Sequence, residues 1–119
     1  MTLSALTPEE REVVERAVAA MLSFAEGDHG ELSGSDFQTR LGLTQAEFRY
    51  ILDNWAKADD SDDQSDVCLA INNSLNELCH GLHVDDSHRR MLTGADLEEL
   101  RRIYFKWAKA RGWHRTGIM

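Results

Sequence analysis

Residues 34–53 read Gly34-Ser35-Asp36-Phe37-Gln38-Thr39-Arg40-Leu41-Gly42-Leu43-Thr44-Gln45-Ala46-Glu47-Phe48-Arg49-Tyr50-Ile51-Leu52-Asp53. Phe37 and Leu41 stand four residues apart, the spacing of one inner helix face. Gly42 can take the positive φ of a tight turn, and Leu43 is expected to tuck beneath it. Thr44-Gln45-Ala46-Glu47 is a capping box, in which hydroxyl and carboxylate satisfy amides across the first helical turn. Phe48, Ile51, Leu52 and Trp55 then recur at helical spacing. The stretch predicts two short helices joined by a tight turn, and it sets an all-α reading for the chain around it.

Towards the N-terminus, Thr7-Pro8-Glu9-Glu10 offers an N-cap, a proline at the first helical position and an acid at the third. Val14, Ala17, Val18, Met21 and Ala25 follow as an apolar stripe, and Gly27 is expected to end that helix. Ser33-Gly34-Ser35-Asp36 provides caps for the next. Towards the C-terminus, the acidic stretch 59–66 leads into a helix with Cys68, Ile71, Leu75, Leu78, Cys79 and Leu82 on one face. Gly81 weakens its finish. Residues 84–92 read as a connection with at most one short helical turn. Thr93-Gly94-Ala95-Asp96 is expected to cap a last helix with Leu97, Leu100, Tyr104 and Trp107 as its stripe and Gly112 as its end. No strand period emerges. The expected fold is all-α: a compact single-domain bundle of about five helices, residues 1–119.

The chain has 119 residues, with 42% hydrophobic and 29% charged content, too apolar for a wholly disordered polymer. The first ten residues lack a basic region followed by an apolar core, so no signal peptide is read there. No apolar run reaches membrane-spanning length; a cytoplasmic protein without membrane contact is expected. Cys68 and Cys79 lie about three turns apart on one predicted helix, roughly 16 Å along its axis. A disulfide needs Cα atoms within about 7 Å, so two buried, reduced thiols are expected. The net charge is −8, unevenly spread. Eighteen acids and five bases fall within residues 1–86, against three acids and eight bases within 87–119. Such asymmetry marks either an interaction surface or attraction between the two parts of one molecule.

The 34–53 stretch resembles a helix-turn-helix, a unit that lays its second helix in a DNA groove. On that resemblance Thr44, Gln45, Arg49 and Tyr50 would face the nucleic acid, Gln45 suiting adenine and Arg49 guanine. Phosphate contacts require positive charge. Locally Arg40 and Arg49 stand against Asp36, Glu47 and Asp53. Further bases would have to come from the last helix, where Arg102, Lys106 and Lys109 share a face near Phe105, Trp113 and Arg115.

Metal and catalytic patterns are weak. An EF-hand loop wants glycine at position six and glutamate at twelve. Counted from Asp60 those positions hold Ser65 and Ile71, and from Asp59 they hold Gln64 and Ala70. Glu26-Gly27-Asp28-His29 and Glu77-Leu78-Cys79-His80 both match Glu-x-x-His, the repeated element of di-iron bundles. The first contains a glycine at a helix end, and no second pair of buried carboxylates accompanies them. Cys79, His80 and His83 fall short of four zinc ligands. No Ser-His-Asp or Cys-His arrangement and no phosphate-binding glycine loop can be argued, so no metal, cofactor or enzymatic activity is expected.

What remains is charge. The leading expectation is a small, acidic, non-enzymatic protein-binding module that engages a basic protein, as an inhibitor, immunity-type factor or adaptor would. Its first interface residues are Asp59, Asp60, Asp62 and Asp63 in the acidic loop, with Asn73 and Glu77 on the following helix. Asn72, Asn73 and Asn76 are unusual mid-helix residues, suited either to bonding a neighbouring helix or to meeting a partner. The alternative expectation is a helix-turn-helix DNA-binding regulator.

Overall fold

The computed structural model describes residues 3–26, 32 and 35–112. Among them are six α-helices and no strand: α1 (Pro8–Glu26), α2 (Ser35–Leu41), α3 (Gln45–Asp53), α4 (Asp66–Asn76), α5 (Asp86–Thr93) and α6 (Leu97–Ala110). Short 3-10 turns, Leu3–Ala5 and Trp55–Lys57, precede α1 and follow α3, and a π turn, Glu77–Gly81, extends α4. The radius of gyration, 13.1 Å, is that of a compact domain.

Local chemistry explains most helix ends. The Glu10 amide donates to Thr7 Oγ1 at 3.1 Å, and the Thr7 amide donates to Glu10 Oε1 at 2.8 Å. Thr44 and Glu47 repeat the same reciprocal box with the same two distances. Ser65 caps α4 by accepting from the Cys68 amide. Gly42, between α2 and α3, has φ +76°, a conformation that would strain any residue bearing a Cβ.

The apolar stripes meet in one core. α1 packs on α3, α4 and α5, and α4 packs in turn on α2, α3 and α6. Trp107, Tyr104, Phe37, Phe48 and Met21 are its largest fully buried side chains. Phe37 and Phe48 meet edge to face at 4.9 Å, which locks α2 onto α3. Cys68 and Cys79 are buried, unbonded thiols, and burial pushes each up to about 11. The expected end of α1 at Gly27, the Ser33-Gly34 part of the α2 cap, the Gly27-Asp28-His29 part of the first Glu-x-x-His motif, Trp113 and Arg115 lie outside the described residues.

Two boundaries differ from expectation. Residues 84–92 were expected to connect, yet Asp86–Thr93 form α5, capped by Asp85 and ended by Gly94 at φ +84°. Its buried residues are Arg89 and Thr93, with Leu92 half-buried against the core, so it has no continuous apolar stripe to read. Arg89 Nε donates to the Leu78 carbonyl at 2.9 Å, and Thr93 Oγ1 donates to the Arg89 carbonyl and accepts from the Ala95 amide. Thr93 therefore closes α5, and Asp96, accepting from the Glu99 amide, caps α6.

α6 is tied to α1 by charge. Lys106 Nζ and Arg102 reach the two oxygens of Glu10 at 2.8 and 3.0 Å. The Lys106 hydrogen bond, followed by the Thr7 amide, holds the Glu10 carboxyl at about 2, below its ordinary 4.5. A depressed carboxyl contributes its full stabilisation above the unfolded value and loses it as pH falls through the folded one. Glu10→Gln is therefore expected to flatten the acid limb of the stability profile between pH 4.5 and about 2. Because Arg102 and Lys106 are 55% and 40% exposed, solvent screening limits the loss at neutral pH to ~1–2 kcal/mol. Melting temperature measured against pH for both chains checks this; parallel acid limbs would refute it.

Candidate functional site

The acidic loop runs from Ala58 to Ser65, between the 3-10 turn after α3 and the start of α4. Its four candidate carboxylates have different fates. Asp59 and Asp62 are exposed and shape the loop: Asp59 Oδ1 accepts from the Ser61 amide at 3.0 Å and Asp62 Oδ1 from the Gln64 amide at 2.8 Å. The hydrogen bonds from Ser61 hold Asp59 below the usual carboxylate value. Asp63 is exposed, and one of its oxygens takes the Arg111 guanidinium.

Asp60 points inward and is fully buried. Oδ1 accepts from the Leu3 amide at 3.3 Å, and Oδ2 from Trp107 Nε1 at 2.7 Å and Arg111 Nη1 at 3.2 Å. The Arg111 side chain also reaches the Asp60 carbonyl and stacks 5.1 Å from the Trp107 ring centre. Asp60 is thus a clasp joining the N-terminal turn, the loop and the end of α6. It offers no carboxylate to an outside partner.

The flank Asn73–Glu77 is likewise engaged internally. Asn73 Nδ2 donates to the Leu41 carbonyl at 2.8 Å, satisfying an acceptor that the end of α2 would otherwise leave open. Asn72 accepts from the Tyr104 hydroxyl at 2.7 Å, linking α4 to α6. Glu77 is 7% exposed and forms a two-pronged pair with Arg40 of α2. These residues bind neighbouring helices, and the expectation of an open interface at Asn73 and Glu77 is corrected accordingly.

On α3, Tyr50 is 71% exposed and Arg49 is exposed. Gln45 is half-buried at the first helical position, and the Thr44 hydroxyl is committed to the Glu47 amide. Glu47 and Asp53 share the helix with Arg49. The bases of α6 are partly consumed: Arg102 and Lys106 by Glu10, and Arg111 by Asp60 and Asp63. The charge asymmetry is therefore used, to that extent, within the molecule. Cys79 faces the core while His80 and His83 are exposed, which separates the three. Among the described residues no group of three or more His, Cys, Asp or Glu is arranged to hold a metal ion.

A feature without a local sequence pattern lies beside the loop. Ala46, Glu47, Tyr50 and Ile51 of α3 face Ser65, Asp66 and Val67 at the start of α4 across an open groove of about 370 Å³. Its floor is carbon: Ile51 is 5% exposed and Val67 half-buried. Glu47 and Asp66 stand on opposite rims. Among the described residues, Glu47, Asp53, Asp59, Asp62 and Asp66 take part in no ion pair. The signal for the groove was Tyr50, a large aromatic outside the inner stripe of its helix.

No family model, curated protein or solved structure matches this chain. Among the described residues no helix is long and apolar enough to cross a membrane.

Proposed function

We propose that this protein is a small, non-enzymatic binding module whose acidic face engages a basic protein, as an inhibitor, immunity-type factor or adaptor does. The observation that carries the reading is the distribution of unspent charge. Arg102, Lys106 and Arg111 are tied to Glu10, Asp60 and Asp63, whereas Glu47, Asp53, Asp59, Asp62 and Asp66 keep their charge without a cationic partner among the described residues. A surface of one sign accelerates encounter with a partner of the opposite sign and rejects like-charged ones. The interface is accordingly Asp59, Asp62 and Asp66, with the exposed Asp63 beside them held by Arg111, and with Asp60, Asn73 and Glu77 acting through the fold. The buried, unbonded thiols suit a reducing compartment, and the reading places the module in the cytoplasm.

The alternative, a helix-turn-helix regulator reading DNA through Gln45, Arg49 and Tyr50, draws on the exposure of Arg49 and Tyr50. It is the weaker reading because Glu47 and Asp53 on the same helix, and Asp66 across the groove, repel phosphate.

The test compares the native chain with the triple variant Asp59→Asn, Asp62→Asn, Asp66→Asn as bait in source-cell lysate. The variant should melt within a few degrees of the native chain, because none of the three carboxylates makes an ion pair among the described residues and Asn keeps the side-chain oxygen that accepts from the loop amides. The expected result is a basic protein retained by the native chain, released by moderate salt and lost from the variant. Equal capture by both baits, or recovery of nucleic acid by both, would overturn the reading.

A further inference from the structure

We propose that the groove between α3 and the start of α4 seats an amphipathic helix of the partner protein, with an apolar stripe flanked on both sides by Lys or Arg. The inference rests on the acidic-face reading and adds the anchor that charge alone does not supply. Charge steers encounter, while buried aromatic and aliphatic contacts hold the complex. The groove offers both parts. Ile51 and Val67 provide an apolar floor with the exposed Ala46 at its edge, and Tyr50 is a rigid aromatic wall that costs little ordering entropy on binding. Glu47 on one rim and Asp66 on the other ask for a base on each side of the inserted stripe.

The occupant is a helix for a reason of backbone chemistry. An extended peptide gains affinity by adding its amides and carbonyls to a sheet edge. No strand exists among the described residues, and beyond its first turn the α3 wall has its amides and carbonyls spent within the helix, so it has no edge to pair with an extended chain. A segment that brings its own satisfied backbone loses nothing on this surface. α3 has nine residues, about 13 Å of wall, which matches two to three turns of a partner helix.

The experiment titrates the full-length, nitrogen-15-labelled chain with three synthetic 15-residue peptides. The first carries Leu at helical spacing on a Lys background. The second has the same composition in an order that breaks the stripe. The third keeps the stripe and replaces every Lys by Glu. The first peptide should shift the backbone amides of residues 46–51 and 65–67 and bind at least about tenfold more tightly than the second. The third should not bind. Tyr50→Ala, and separately the pair Glu47→Gln with Asp66→Asn, should each weaken the first peptide about fivefold or more; Gln preserves the capping box. Equal binding of the ordered and disordered Lys peptides would overturn the groove and leave the acidic-face reading standing. No binding of either Lys peptide at low salt would overturn both. Tighter binding of duplex DNA, with shifts at the same amides, would replace the protein partner by nucleic acid.

Discussion

Replacing Asp60 by alanine is expected to destabilise the fold by ~3–5 kcal/mol, the usual loss when one partner of a buried ion pair is removed. The carboxylate is fully buried, and the Arg111 side chain opposite it is 1% exposed. Deletion removes an acceptor from the Trp107 indole N–H and the Leu3 amide, and it takes a fully buried carboxylate away from the buried Arg111 guanidinium. Asp60→Asn is the sharper probe. It preserves volume but has one acceptor oxygen where two are in use, so it should lose roughly half as much. Arg111→Met placed on Asp60→Asn should cost less than the two single losses combined, because the second change removes the stranded charge. Urea unfolding followed by far-ultraviolet circular dichroism measures the four variants, Arg111→Met alone included, against the native chain. A loss below about 1 kcal/mol for Asp60→Ala would mean that Arg111 turns to solvent and the clasp is dispensable.

Asp60 also marks where sequence reasoning reaches its limit. Asp59, Asp60, Asp62 and Asp63 are indistinguishable by local pattern, because what separates Asp60 is a partnership with Trp107 and Arg111 across the fold. Only the coarse opposition of an acidic front and a basic end hinted at it. The capping boxes Thr7–Glu10 and Thr44–Glu47 were legible because every group involved lies within four residues. The stripes of α1, α3, α4 and α6 were legible because burial follows helical period. α5 was not, since Arg89 and Thr93 are buried through hydrogen bonds and follow no apolar period. The groove escaped because α3 and α4 are separated by the acidic loop, and the facing of their side chains is a tertiary fact. Its Tyr50 was noticed, but as a residue for DNA.

Asn73, Glu77 and Gly81 share one face of α4 and its π turn, and they give the second large effect. They recur at intervals of four along α4 and its π turn. The glycine matters for space, since its φ is not positive. A Cβ at position 81 would overlap Glu77 Oε1 and lie 2.8 Å from Glu77 Cδ and 3.0 Å from Arg40 Nη2. Gly81→Ala must therefore push the Glu77 carboxylate away from Arg40, and is expected to cost ~1–3 kcal/mol as an overpacking change. The sign should reverse once the obstacle is gone. With Glu77→Ala in place the new methyl meets no carboxylate, and alanine over glycine in a helical turn should stabilise by ~0.5–1 kcal/mol. Arg40, 31% exposed, can turn its guanidinium to water in that background. A double-mutant cycle in urea reads the coupling directly. Additive losses would mean that the glycine is required by the backbone of the π turn and not by the ion pair. The same variants divide structural from interface roles: Glu77→Ala lowers stability, yet at temperatures where it remains folded it should leave capture of a basic partner unchanged. Loss of capture by the folded variant would return Glu77 to the binding surface.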